Sequence, residues 1–283
     1  MPPRLHLGRD GHRRGAAGRE TGRHGLDHVP IAVADLEGAS ARYRALGFTL
    51  KPGRAHDNGI RNQHAKFADG TELELITAPE ARDALTTAYR RHLARGNGPA
   101  FLALFAPSMD AAAGRLEESR IPHMRRGPIV SLDDRDGLGY LFLGPRNASP
   151  TDRPEHFVHA NGATSLIAVW LAGELRAEER LLETLGARVS TAEVYVPQPA
   201  SDRVAALDEG DVVLLPADRQ LVAGRKIVGA TVRVRSVATV TDLLSRSGFP
   251  PVETVTTSRG ASVFLPPAQT HGLWLELREP GSR

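Results

Sequence analysis

Residues 26–77 contain the pattern that most constrains the fold of this chain. The stretch from Leu26 to Val33 alternates apolar with polar or small residues, several of them β-branched, which predicts a strand. Asp35 then suits a helix N-cap, and apolar residues at helical spacing continue to Gly47, because glycine after a helix adopts positive φ without steric cost. Three short strands are predicted next, over residues 48–51, 62–68 and 71–77. The predicted order is therefore β-α-β-β-β.

Alternation of side chains along these strands predicts a polar face opposite the helix. If Val29 and Ile31 pack under the helix, His28 points to the other side of the sheet. The same rule adds five polar residues of the later strands to the face of His28, namely Asn62, His64, Lys66, Glu72 and Glu74. Imidazole nitrogens and carboxylate oxygens on neighbouring strands are suited to a divalent metal ion.

The motifs HVPIAV, DL, LGF and DGTELELI resemble the vicinal oxygen chelate superfamily, and more closely its glyoxalase-like members. In that superfamily a β-α-β-β-β module supplies a metal-binding His from its first strand and a Glu from its last. The resemblance carries these roles to His28 and Glu74. His64 lies on the same face by alternation and is the predicted third ligand, while Glu72 is the spare carboxylate predicted to move a proton.

Three further units of this kind follow along the chain. They begin near Pro99, Thr164 and Ile227, so successive starts, counted from Leu26, are 73, 65 and 63 residues apart. Similar units at near-regular spacing indicate internal duplication. We therefore predict an α+β protein of four tandem β-α-β-β-β modules in two halves, of the glyoxalase, bleomycin-resistance and dihydroxybiphenyl-dioxygenase type. Its parts are predicted to be a disordered Arg-rich arm, a first module pair, a linker and a degenerate second pair, over residues 1–24, 25–150, 151–163 and 164–283.

The later modules do not repeat the pairing of His28 with Glu74. The second module has no His on its opening strand and no Glu in GYLFLG, and the fourth has Glu276 without a His on its opening strand. A Glu without such a partner is more often solvated or ion-paired than a ligand. The linker carries His156 and His159 in a stretch that resembles PEHFxHxNG of glyoxalase-like proteins. These two are interpreted as loop imidazoles, with a ligand role as the alternative.

Composition excludes several classes of protein. The chain has no Cys, which rules out disulfides and thiolate chemistry. Residues 1–24 hold six Arg and two acids, which gives this segment a formal charge of +4. Because the whole chain has a formal charge of +3, the remaining residues have a charge of −1, which argues against a nucleic-acid-binding face. No apolar run approaches the roughly 20 residues of a membrane helix. We expect a cytoplasmic protein with a small-molecule partner, no nucleic-acid or membrane partner, and a homodimer as a candidate assembly.

Three functions stay open on the sequence. The first is a metal-dependent lyase, isomerase or dioxygenase in which nitrogen and oxygen ligands hold Zn, Fe, Mn, Co or Ni, and the metal polarises a small oxygen-bearing substrate. The second is a metal-free small-molecule binding or sequestering protein of the bleomycin-resistance type. The third is a scaffold without a site. Four aromatic residues on strands are candidates for lining a cleft, although such residues usually pack in the core: Tyr140, Phe142, Trp170 and Trp274.

Overall fold

The computed structural model describes residues 23–257 and 259–281, so residues 1–22 of the predicted arm lie outside the described part. The first module consists of β1 (Gly25–Ala32), α1 (Leu36–Ala45), β2 (Lys51–Pro52), β3 (Arg61–Lys66) and β4 (Glu72–Thr77). Asp35 begins α1 by accepting hydrogen bonds from two backbone N–H groups, and Gly47 follows the helix with φ of +89°. The order predicted for this module is confirmed, although β2 is shorter than expected and starts at Lys51.

The rest of the first half contains a connecting helix and a second module: α2 (Ala84–Leu93), β5 (Gly98–Pro99), β6 (Leu102–Phe105), α3 (Met109–Glu118), β7 (His123–Arg126), β8 (Ile129–Leu132) and β9 (Leu141–Gly144). Leu85 of α2 is exposed although it is a large apolar residue. Asp83 forms a capping box with Thr86, which turns Thr86 and Tyr89 inward instead.

The second half repeats the same unit twice: β10 (Ala163–Ala172), α4 (Arg176–Thr184), β11 (Arg188–Tyr195), β12 (Pro199–Ala206), β13 (Asp211–Leu215), β14 (Ile227–Val234), α5 (Val237–Arg246), β15 (Thr254–Thr257), β16 (Gly260–Leu265) and β17 (Trp274–Pro280). Strand β12 has no counterpart in the sequence prediction. Its first half is polar and exposed, and pairing with β11 along eight residues defines it rather than an apolar pattern.

Each half forms one sheet with the same strand order. The first sheet runs β2-β3-β4-β1-β6-β9-β8-β7, with β5 paired to β1, and the second runs β11-β12-β13-β10-β14-β17-β16-β15. In every module the first strand pairs in parallel with the last, and the first strands of the two modules meet antiparallel at the centre. The predicted α+β fold of four modules in two halves is thereby confirmed.

The two halves share one hydrophobic core. Its members come from α1, α3, α4 and α5 and from the helix side of both sheets, including the fully buried Val29, Ile31 and Tyr43. The Tyr43 hydroxyl donates a hydrogen bond to the Thr270 carbonyl of the other half at 3.1 Å. The face of each sheet that lies opposite the helices is not part of this shared core. Among the described residues, no helix has the length and apolar character needed to cross a membrane.

Candidate functional site

The polar residues of the first sheet form two rows across its strands. One row crosses β3, β4 and β1 and consists of Lys66, Glu72 and His28. The other crosses β2, β3 and β4 and consists of Lys51, His64 and Glu74. Leu73 and Leu75, which alternate with the two Glu residues, are buried in the core on the helix side. The face predicted from alternation is therefore present.

Apart from the fully buried Glu72, these rows form the floor of a cavity of about 670 Å³, a volume within the usual range for small-molecule sites. The opposite wall comes from residues 144–151, which follow β9, and from Pro128 and Ile129. Phe142 of β9 closes one side, with its ring centroid 5.6 Å from that of His28. The cavity thus lies between the two modules of the first half and is roofed by the start of the segment that leads to the second.

His28 is held among carboxylates at one end of the cavity. Its Nδ1 lies 2.6 Å from Asp27 Oδ2, and its Nε2 lies 3.7 Å from Glu74 Oε2. Burial lowers the pKa of His28, but the hydrogen bond to Asp27 and the charges of Glu72, Asp27 and Glu74 outweigh it and raise the pKa to about 9. At neutral pH the imidazole is therefore protonated.

His64 and Glu72 form a buried pair beneath the cavity. His64 Nδ1 lies 2.9 Å from Glu72 Oε1, and the Asn147 side chain donates to the same oxygen at 2.7 Å. Burial raises the pKa of Glu72, yet the hydrogen bond from His64, its charge and that of His28 lower the pKa overall. Glu72 is fully buried and does not line the cavity, so it has no direct path for proton transfer to a molecule bound there. Its role in proton transfer stays a prediction.

Two lysines and an aspartate at the other end of the cavity were not predicted as site residues. Lys66 donates to Asp152 at 2.7 Å and to the Asn147 carbonyl at 2.5 Å. Lys51 lies 3.3 Å from the other oxygen of Asp152. Asp152 is 86 residues from Lys66 in sequence. Only the path of the chain after β9 brings them together, and no local pattern marks it.

The three predicted metal ligands do not converge on one point. His28 and Glu74 approach each other, and Asn62 donates to the remaining oxygen of Glu74 at 2.6 Å. His64 binds Glu72 instead. Within residues 23–257 and 259–281, no three His, Asp or Glu side chains are grouped so that they could hold a metal ion.

The second module offers no replacement for the missing ligand. Strand register pairs His28 with Ala103 and Ala103 with Phe142, so these two residues occupy its central positions. Neither side chain can bind a metal. The residues present therefore fit a His and Glu pair, and they do not fit the three protein ligands of a usual catalytic metal centre.

Both histidines of the linker have structural contacts. His159 is buried, its Nδ1 accepts from the Thr49 N–H at 3.0 Å, and its Nε2 donates to the Lys66 carbonyl at 2.9 Å. Burial lowers the pKa of His159, which keeps the ring neutral. His156 Nδ1 accepts from the Arg153 N–H at 3.1 Å within a short 3-10 turn. These contacts favour the structural interpretation over a ligand role.

The second half carries a different polar centre. The sequence aligns Glu276 with Glu74, but the strand register does not. Glu276 is paired with Thr231, and Thr231 is paired with Ala168 at the centre of the second sheet. Glu276 therefore corresponds to Glu72, which is paired with the central residue His28 of the first sheet. Its carboxylate accepts hydrogen bonds from Thr231 at 2.7 Å and from two further side chains, Ser262 and Arg278. No lone pair of Glu276 is left open to a ligand, and the carboxylate is ion-paired, as expected for a Glu without a His.

Apolar side chains fill the open side of the second sheet. Trp170 is fully buried there, donates its indole N–H to Thr231 at 3.0 Å, and packs against Phe264. Its partner in register is Gly229, where an added Cβ would lie 2.3 Å from the indole. Eight buried valine, leucine and alanine residues complete this cluster, and the partly buried Trp274 packs against it. The aromatic candidates Trp170 and Trp274 therefore belong to a core, whereas Phe142 lines the cavity of the first half.

Comparison with protein families identifies the family to which this chain belongs. The sequence model of the glyoxalase-like domain family matches residues 26–207, which is more than half of the chain, and the protein belongs to that family. The match spans both modules of the first half and the third module as far as the end of β12. A comparison with curated proteins found no significant match.

Solved structures share the fold at low sequence identity. A variant of 4-hydroxymandelate synthase from Streptomyces coelicolor is 14% identical, with a TM-score of 0.65 over 92% of this chain and 93% of that one. The Mn(II)-bound glyoxalase from Novosphingobium aromaticivorans is also 14% identical, with a TM-score of 0.60 over 91% and 82%. A fusion of a xylose isomerase-like TIM barrel with 4-hydroxyphenylpyruvate dioxygenase matches at 14% identity and a TM-score of 0.66, over 92% of this chain and 49% of the fusion. At such identities the likeness shows the fold alone.

Proposed function

We propose that this glyoxalase-like protein binds a small oxygen-bearing organic molecule in the cavity of its first half and does so without a three-ligand metal centre. The observation that carries the proposal is the state of His28. Asp27 occupies Nδ1, while Nε2 has no hydrogen bond to any residue of the described part, and Glu74 stands 3.7 Å from it, beyond hydrogen-bond distance. A protonated imidazole with one free N–H therefore faces a hollow that a small molecule can enter.

This geometry suits recognition of a carbonyl or hydroxyl oxygen. The Nε2–H of His28 donates to that oxygen, and charge-assisted hydrogen bonds of this kind are among the stronger ones in proteins. Glu74 accepts from a neighbouring hydroxyl of the same molecule. If chemistry follows binding, His28 is the residue placed to supply a proton, because three carboxylates around it keep that proton available at neutral pH.

A metal-dependent lyase, isomerase or dioxygenase is the second candidate. Two observations favour it: the 3.7 Å approach of His28 and Glu74, and the Mn(II) reported for the glyoxalase of the same fold. A divalent ion, which could be Zn, Fe, Mn, Co or Ni, would be held by these two residues and would polarise a substrate oxygen. Neither the reaction class nor a metal follows from the fold.

Metal analysis separates the two candidates. Wild type, His28→Ala and Glu74→Gln are purified without chelator, dialysed against each candidate ion and analysed for bound metal. The first proposal expects no stoichiometric metal in any of them. One equivalent in wild type, lost in both variants, would establish the metal enzyme instead. Stoichiometric metal that survives both substitutions would place a metal site elsewhere.

A ligand-observed NMR screen tests binding itself. A few hundred small carbonyl and hydroxyl compounds are screened against wild type and against Ala148→Trp, which places an indole at the exposed mouth of the cavity. Ala81→Trp, on an exposed loop outside the cavity, is the matched control. We expect hits with wild type and the control that disappear with Ala148→Trp. An absence of hits, or hits that persist in Ala148→Trp, would contradict the proposal.

A further inference from the structure

Charged groups are segregated along the cavity of the first half. The end at β1 and β4 holds His28 with the carboxylates Asp27 and Glu74, above the buried Glu72. Arg146 also reaches this end, where it bonds to the Leu26 carbonyl and to Glu209 of the second half. Carboxylates therefore outnumber the cations at the β1 end.

The end at β2 has the opposite balance. Its cavity-lining cations are Lys51, Lys66 and Arg54. Asp152 pairs with both lysines, and the buried Glu72 lies 3.8 Å from Lys66. In the sheet β2 is separated from β1 by β3 and β4, which corresponds to about 14 Å between the two outer strands. The cavity is thus long enough for a molecule with different groups at its two ends.

Lys51 has hydrogen-bonding capacity that the protein does not use. Its side chain is only 8% exposed, and among the described residues its single ion-pair contact is Asp152 at 3.3 Å. Lys66 holds the same carboxylate at the shorter distance of 2.7 Å and also binds the Asn147 carbonyl. An ammonium group carries three donors, and burying one with most of them unpaired costs free energy. A second anion beside Lys51 would remove that cost.

Two neighbours of Lys51 in the following loop are likewise available. Arg54 is exposed at the mouth of the cavity and has no hydrogen bond or ion pair with any residue of the described part. His56 Nε2 is buried in the cavity wall without a hydrogen-bond partner among those residues. Gly53 lies between Lys51 and Arg54, and a Cβ there would lie 1.6 Å from Asn62 Oδ1, so the backbone passes close to β3 at this point.

From these contacts we infer that Lys51, Arg54 and His56 form an anion subsite, and that the ligand of this cavity is a small organic acid. Its carboxylate or phosphate group lies against these three residues, and its second oxygen function reaches His28 at the other end. Pro128, Ile129 and Phe142 border the space between the two ends, which suits an apolar body. The inference rests on the proposed binding function and names the class of ligand.

The test uses the full-length protein and three probes at constant ionic strength. Benzoate and benzamide are nearly isosteric and differ in charge, and inorganic phosphate presents the other anionic group alone. Dissociation constants are measured by ligand-observed NMR or calorimetry for wild type, Lys51→Met and Arg54→Gln. Arg91→Gln removes an exposed charge of α2 outside the cavity and is the control for net charge. Lys51→Met leaves Asp152 paired with Lys66, so it is expected to fold.

We expect benzoate to bind at least about tenfold more tightly than benzamide, because one charge-assisted hydrogen bond is worth about that factor. Lys51→Met and Arg54→Gln should each abolish most of this difference, phosphate should compete with benzoate, and Arg91→Gln should change neither. Competition by phosphate with no preference for benzoate would assign the subsite to phosphate esters.

Equal affinity for benzoate and benzamide, without phosphate competition and lost in Ala148→Trp, would overturn the anion subsite while the binding function stands. A benzoate preference unaffected by Lys51→Met and Arg54→Gln would also overturn it. If none of the three probes binds, the anion subsite fails, and the NMR screen then decides separately whether the cavity binds anything.

Discussion

The two halves of the molecule have the same strand order but opposite interiors. At the centre of the first sheet, His28 is paired with Ala103 and faces a cavity lined by ionisable groups. At the centre of the second sheet, the corresponding pair is Ala168 and Thr231, and the space above it is filled by Trp170. The same backbone can therefore present a cavity or a core, depending on the size and polarity of a few central side chains.

The carboxylates of the two centres show the same contrast. Glu276 is saturated by Thr231, Ser262 and Arg278, whereas Glu74 accepts one hydrogen bond from Asn62 and leaves its other oxygen toward His28. A saturated buried carboxylate stabilises the fold, and one with open coordination is available to a ligand. This difference assigns the proposed binding function to the first half and a structural role to the second.

The largest effect is expected from truncating Trp170 in the apolar cluster of the second sheet. Trp170→Ala removes the largest fully buried side chain of the described residues, and we expect a loss of about 3–5 kcal/mol in the free energy of unfolding. Phe142→Ala, the matched change in the first half, should cost under about 2 kcal/mol, because its ring borders a cavity that already exists. Denaturant unfolding measures both. Equal losses of unfolding free energy would show that the surroundings of Phe142 are packed as tightly as those of Trp170.

The next effect compares the two carboxylates. Glu276→Gln leaves the partly buried Arg278 without its ion-pair partner, and we expect a loss of about 3 kcal/mol of stability. Glu74→Gln should cost less than about 1 kcal/mol, because an amide oxygen can still accept from Asn62. The same unfolding measurement applies to both variants. A larger loss for Glu74→Gln than for Glu276→Gln would reverse the assignment of roles.

A smaller effect concerns pH and distinguishes the halves by charge. Because the folded pKa of His28 lies near 9 and its ordinary value is 6.5, its contribution is complete below pH 6.5 and is lost as pH rises to about 9. That loss is at most about 3 kcal/mol. His28→Gln should therefore show a flatter decline in unfolding free energy between pH 6 and 9.5 than wild type. Parallel declines would mean that the carboxylate neighbours of His28 do not raise its pKa.

The sequence was sufficient for the fold and for the polar face, for a physical reason. Strand alternation is local, so the positions of His28, His64 and Glu74 followed from parity once the helix side was known. Their partners were not predictable, because Asn147 and Asp152 come from a segment that pattern analysis interprets only as a Pro- and Asn-rich connection. Tertiary contacts of this kind decided that His64 binds Glu72 rather than a shared ligand.

Register and edge pairing account for the other differences. Glu276 and Glu74 occupy similar sequence motifs, ELEL and WLEL, yet strand pairing shifts Glu276 to the position of Glu72. A shift of two residues keeps the same face and cannot be detected from alternation. Strand β12 was missed because a hairpin partner, rather than its own composition, makes it a strand.

The central claim is that ligands bind the first half and not the second. Amide chemical-shift mapping of deuterated protein during titration with benzoate, or with the strongest compound of the screen, tests it most directly. We expect the amide chemical shifts to change at residues 51–56, 62–66 and 144–151 and around His28. We expect no changes around Trp170 and Glu276. Saturable shifts centred on the second sheet, with the first unchanged, would contradict it.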